Sequence, residues 1–466
     1  MYQGWRGDWL FTLPYTSEPG KGAFIFPLYI LLGHIARSTG LTLVFTFHLA
    51  RILSTLLLLL ALHGFFRIYL RVAHASGLAF LLASLGSGFG WLALPFGIFT
   101  ADFWVAETFP FLSAYANPHF PLSLALLLFL FFPFQDTNES LPEKVSGGMQ
   151  VAGTVLASFL LGFLSPFGVV IALVVWAGVA VCEMLRVSLH PVRVSLRDIF
   201  RHLLWIAVGG LPVVLYQFIV ISTDPLLSGW NSQNLTPAPP LWDTVVSLAP
   251  LILLAPFALG LLTHERKGPR LMIVWLLAGL VLLYLPWGLQ RRFMMGLYVP
   301  LSALAAMLLA NRLTNTQRFW SLGVLLFLLV LPTNLVILQA ARYGIQTHDS
   351  KLYLTRDEVE ALAWIEANTP THALILAAPD TGLLIPAYTG RRVIYGHPFE
   401  TVNADDQKIQ VERFFQGAPL PNANAFFNLI DYVFYGPRER EIGKNDLLNG
   451  LRVVYQNPGV ILYSTR

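Results

Sequence analysis

Two adjacent arginines, Arg291 and Arg292, open the apolar stretch QRRFMMGLYVPLSALAAMLLA over residues 290–310. A guanidinium presents a planar fork of donors that matches phosphate oxygens two at a time. The pair is therefore a candidate grip on the phosphate of a lipid-linked donor. Anchoring at the headgroups is the other reading that arginines at the end of an apolar segment allow. A phosphate grip could work beside a proton acceptor. The segment TADFWVAETFPFLSAYANPHF, residues 100–120, holds Asp102 and Glu107 as its only acids, set among aromatic residues, with His119 near its end. A carboxylate that loses hydration among Phe and Trp becomes a better proton acceptor. Glu107 and Asp102 are thus candidate catalytic residues, against the plainer reading of acids on an interfacial segment. His119 either orients a substrate or begins the next helix.

Further ionisable groups lie in or near apolar runs, where such residues are functional candidates by default. His48 and Arg51 are three apart on one predicted helix and share a face. At about 1.5 Å per residue they sit roughly 10–15 Å from its outer end. They either line a site or, in the case of Arg51, fix packing by pairing with a carboxylate or carbonyl. Asp8 and Glu18 fall in the opening segment, where loop acids are usually solvated; Asp8 is kept as a site-lining candidate. In PDTGLLIPAYTGRRVIYGHPFET, residues 379–401, His397 and Glu400 are candidates to contact an acceptor, although the Gly and Pro content favours a structural turn.

The elements that must position these groups are mostly membrane helices. The chain has 466 residues, 55% hydrophobic and 12% charged, with a mean hydropathy of +0.62; soluble domains carry about 25% charged residues. Apolar runs at 41–63, 77–96, 121–133, 151–164, 167–182, 202–222, 245–263, 271–288, 293–310 and 319–340 read as helices. Residues 24–37 read as a shorter helix in the interface. Loops reach the cytoplasm if residues 1–40 are outside. They then hold Arg67, Arg71, Lys144, Arg186, Arg193, Arg197, Arg201, Arg266, Lys267, Arg270, Arg312 and Arg318. The outer loops hold only Arg6, Lys21, Arg37, Arg291 and Arg292 before the tail, so the cationic bias supports this orientation. Arg291 and Arg292 break the pattern.

Residues 349–466 are charged and punctuated, and read as one small α/β domain on the outer side. TRDEVEALAWIEANTP carries a capping box of Thr355 and Glu358, and ALILAAP, RRVIYG, DYVFYG, LRVVYQ and VILYS read as short strands. The opening MYQGWRGDWLFTLPYTSEPGKG has neither a basic nor an apolar leader region. Its Trp, Tyr, Gly and Pro suit a loop at a membrane surface. The lone Cys182 excludes internal disulfides. A net charge of +4 without a basic block argues against nucleic acid as a partner. The absence of Walker, G-x-G-x-x-G, HExxH and G-x-S-x-G elements argues against ATP-driven transport, nucleotide binding, zinc proteolysis and serine hydrolysis.

In order along residues 1–340 come a large aromatic outer loop, a second outer loop with an acid and PHF, short broken helices, and RRFMMGLYVPLSALAAMLLA. Together they resemble the GT-C glycosyltransferases: the polytopic polyprenyl- or dolichyl-phosphate-mannose-dependent type, and bacterial relatives that modify lipid A or lipopolysaccharide. The resemblance implies an all-α bundle of about ten transmembrane helices plus interfacial helices, carrying a small C-terminal α/β extracytoplasmic domain. The segments would be a partial first outer loop (1–40), the bundle (41–340) and the outer domain (349–466). It implies a multi-pass protein of the bacterial inner or plasma membrane. This protein would move a sugar from a polyprenyl-phosphate donor, with inversion, to a glycan, lipid or protein acceptor among membrane lipids. Arg292 and Arg291 match the family's phosphate-holding arginine, and Glu107 matches the acid of the second loop. No cofactor is implied for certain, and a divalent metal stays open. The family's leading acidic motif follows a first transmembrane helix, whereas this sequence opens inside that loop and reads as truncated at its N-terminus, with Asp8 its nearest acid. Two other classes stay open: a transporter or flippase of a lipid-linked saccharide, which should show two related halves, and a non-catalytic membrane scaffold.

Overall fold

The computed structural model describes residues 1–466 except 71, 133–142, 186–194, 264–266, 287, 351, 421–422 and 444. Arg71, Arg186, Arg193 and Arg266, which enter the orientation argument, lie outside the described residues. The chain divides into two compact units, one of residues 1–46, 217–235 and 343–466, the other of residues 47–216 and 236–342.

Each of the ten apolar runs overlaps helix, and among the described residues the count of ten spans is not confirmed. Among the described residues four helices are long and apolar enough to cross a membrane: Leu43–Tyr69, Pro166–Met184, Leu196–Thr223 and Gln290–Arg312. Three bent pairs raise the number to seven at most. Ala73–Leu85 turns by 43° into Gly90–Phe96 across two glycines, Leu241–Leu248 turns by 91° into Leu251–Ala258 at Pro250, and Thr316–Val330 turns by 41° into Pro332–Gln346. Glycine and proline break the ladder at each of these places. His119–Leu130, Gly148–Leu164 and Arg270–Tyr284 are apolar but shorter.

The core of the larger unit is mostly Leu, Ala and Val with large aromatic side chains set among them. Trp275, Tyr298, Phe65, Phe109 and Phe131 are fully buried, and Trp176 Nε1 donates to the Leu130 carbonyl at 2.9 Å. The expected helix from Phe293 starts later, at Tyr298. Residues Gln290–Met294 form a separate 3-10 turn, and Gly296 between the two has φ +69. A Cβ there would lie 2.8 Å from Leu124 and 2.9 Å from Trp275, so both conformation and space require glycine.

The other unit contains the sheet. Its strands β1 (Leu374–Leu376), β2 (Arg392–Val393), β3 (Tyr432–Tyr435), β4 (Arg452–Gln456) and β5 (Ile461–Ser464) coincide with the five predicted strand segments. Their order is β2-β1-β3-β5-β4. The first three are parallel, and β5 runs antiparallel to both β3 and β4. The helix Arg356–Asn368 starts with the expected capping box, and the same Glu358 also pairs with the buried Arg438. The N-terminal segment belongs to this unit: Val393 N–H donates to Pro14 O at 3.2 Å, Arg392 to Ser17 O, and Tyr2 OH to Glu366 at 2.5 Å. Residues 24–37 correspond to the helix Pro27–Thr39.

Candidate functional site

The carboxylate of Glu107 and the guanidinium of Arg292 form an ion pair, although 185 positions separate them. Two devices bring them together. The left-handed turn at Gly296 folds the 3-10 turn Gln290–Met294 back, and Gly296 N–H donates to the Glu107 carbonyl at 2.9 Å. Phe293, in the same turn, packs edge-on against Phe167 at 5.4 Å. The pair is asymmetric: the Glu107 side chain is 11% exposed and that of Arg292 38%. A ligand can therefore reach the cation while the anion stays largely covered.

Arg291 stacks its guanidinium over Trp104, 4.7 Å from the ring centre, as cations do on exposed indole faces. It lies within electrostatic reach of Glu107 and Arg292. His119, at the first residue of His119–Leu130, is within reach of the same two groups and stacks near Phe120 at 3.9 Å. Glu107, Arg291, Arg292 and His119 thus share one locality.

Asp102 is elsewhere engaged. It is fully buried, and its carboxylate accepts from Gly90 N at 2.9 Å, Thr100 Oγ1 at 2.5 Å and Thr333 Oγ1 at 3.0 Å. Burial pushes its carboxyl above the usual carboxylate range, against the pull of those donors. A second buried acid, Asp243, accepts from Ala101 N at 2.8 Å and Ser247 Oγ at 2.7 Å. The two acids tie the 100–104 segment to residues 90, 243–247 and 333, and Trp104 and Glu107 follow directly. Asp243 escapes a sequence reading because a lone acid in LWDTVV looks like the polar edge of an amphipathic helix. Asp243→Ala is expected to leave the Ala101 N–H and Ser247 without their acceptor, at a cost of about 1–3 kcal/mol; a lower thermal midpoint in detergent is the measurement.

The remaining candidates make other contacts. Arg51 donates to the Tyr115 carbonyl at 2.7 Å, which closes the C-terminal end of the short helix Pro110–Tyr115. His48 packs on Phe47 at 5.4 Å. Asp8 sits in the other unit, paired with Arg6 at 3.4 Å. In that unit burial also pushes the Glu400 carboxyl up to about 7, while Phe399 N–H donates to His397 Nδ1 at 3.2 Å and so forms a local turn. Among the described residues no three His, Cys, Asp or Glu side chains converge as metal ligands.

Apolar helices around an aromatic loop with a carboxylate–guanidinium pair define an integral membrane protein with a polar site. Its fold is similar to those of two solved membrane proteins. The chain superposes over its whole length on ArnT from Cupriavidus metallidurans bound to undecaprenyl phosphate, with a TM-score of 0.50, 14% identity and 91% of that chain covered. Over 93% of its length it superposes on the archaeal oligosaccharyltransferase AglB from Archaeoglobus fulgidus in complex with an inhibitory peptide and a dolichol-phosphate. The TM-score there is 0.51 and the identity 13%, and the match spans 64% of AglB. No protein-family model and no curated protein sequence matches the chain.

Proposed function

We propose that this protein transfers a sugar from a polyprenyl-phosphate donor to an acceptor on the extracytoplasmic face of a bacterial inner membrane. The observation that carries the reading is the Glu107–Arg292 pair, with Arg291 held beside it on Trp104. In the proposed reaction an acceptor oxygen attacks the anomeric carbon and gives its proton to Glu107. The bond from that carbon to the phosphate oxygen breaks, and the lipid phosphate leaves with the electron pair. Arg292 and Arg291 hold the negative charge that collects on it, as donors placed in advance at a departing anion do. Asp102 has a structural role beneath this site, since its oxygens are taken by three donors.

The test is reconstitution of the full chain in liposomes with a radiolabelled undecaprenyl-phosphate sugar and envelope extract as acceptor. Label moving to the acceptor, with release of undecaprenyl phosphate, supports the reading. A label that crosses the bilayer without leaving its lipid would identify a flippase instead. In the same reading the domain 349–466 faces outward. Protease added outside intact spheroplasts is expected to remove it; protection of residues 349–466 would reverse the orientation.

A further inference from the structure

We infer that Thr236, Gln290 and Arg291 form the subsite that reads the sugar hydroxyls of the donor; the inference rests on the transfer reading above. The two segments that carry them are bonded to each other. Thr236 N–H donates to Gly288 O at 2.8 Å, and Arg291 N–H donates to Thr236 O at 3.0 Å. Three polar side-chain atoms on this short double connection are buried and have no hydrogen-bond partner among the described residues: Thr236 Oγ1, Gln290 Oε1 and Arg291 Nε. Thr236 itself is 7% exposed. A fourth such atom, Thr108 Oγ1, belongs to the residue that follows Glu107.

Buried polar groups are nearly always paired, and each one left unpaired is destabilising. Several together, next to an ion pair open to ligand on one side, point to a ligand that completes them. The chemistry of the three atoms selects among the parts of a lipid-phosphate sugar. The prenyl chain forms no hydrogen bonds. An ionised phosphate diester only accepts, so it suits Arg291 but offers nothing to Gln290 Oε1. A sugar hydroxyl both donates and accepts. It alone satisfies an amide oxygen, a guanidinium N–H and a threonine hydroxyl together. Arg292, with the terminal nitrogens of Arg291, then holds the phosphate to which that sugar is attached.

The experiment compares binding to the full chain in nanodiscs of bare undecaprenyl phosphate with that of undecaprenyl-phosphate glucose, mannose and galactose, tested in turn. Thr236→Val and Gln290→Met keep shape and remove the polar atoms. Each is expected to weaken at least one glycosylated lipid by about tenfold or more, with binding of bare undecaprenyl phosphate retained, which also reports an intact fold. Thr236→Ser is expected to behave as wild type. The inference is overturned if the variants weaken both lipids equally, or neither, since a water molecule then suffices at these atoms. Wild-type protein that binds bare and glycosylated lipid equally also overturns it, while leaving the phosphate site standing. Wild-type protein that binds neither lipid removes the transfer reading, and the subsite with it.

Discussion

Arg292→Ala is expected to lower transfer from an undecaprenyl-phosphate sugar by about 10²–10³-fold, the loss typical of removing one preorganised donor from a developing anion. The effect should fall on both donor affinity and turnover, because a phosphate is charged when bound and gains further charge on the departing oxygen. The substitution also leaves Glu107, only 11% exposed, without its partner cation. Arg292→Lys separates charge from geometry: a point charge replaces the planar fork, and partial recovery of activity is expected. Steady-state kinetics on protein of equal expression and equal thermal midpoint checks this. Wild-type transfer by Arg292→Ala would remove the arginine from the mechanism.

Glu107→Gln is the complementary change. Gln keeps the size of the side chain and one acceptor oxygen for Arg292, but it cannot take a proton from the acceptor. Turnover is expected to fall by about 10²–10⁴-fold, the contribution of a positioned base, with donor binding nearly unchanged. That split is diagnostic. Equal losses in turnover and donor affinity would mean that Glu107 serves only to hold Arg292, and the proton acceptor would have to be sought elsewhere.

How much of this was legible in the sequence depends on the range of the interaction. Each apolar run and each strand of the small sheet is written locally, in hydropathy or in alternation between turn residues, and each appears. The capping box of Thr355 and Glu358 is local too. The number of spans is not, because breaks at Gly86–Gly88, Pro250 and Pro332 change helix direction inside what reads as continuous apolar sequence. Arg291 and Arg292 stand out by breaking the expected cationic bias of the loops, and Glu107 by its aromatic setting. That Glu107 meets Arg292, that Arg291 lies on Trp104, and that Asp102 is consumed by Gly90, Thr100 and Thr333 depend on tertiary packing. The same is true of the N-terminal segment. Nothing in residues 1–25 announces that Pro14 and Ser17 will pair with β2 in the chain's last third.

The unequal exposure of the two ion-pair partners has a kinetic consequence. While Arg292 covers it, the carboxylate is tied up and poorly placed to activate a stray water. An arriving phosphate competes for the same guanidinium and releases the anion only once a donor is seated. In the transfer reading substrates should therefore enter in compulsory order, lipid first, and hydrolysis of the activated sugar is expected once a donor is seated without an acceptor, because the carboxylate is then free to activate water. Product-inhibition patterns, with the spent carrier lipid competitive against the incoming one alone, would carry that signature.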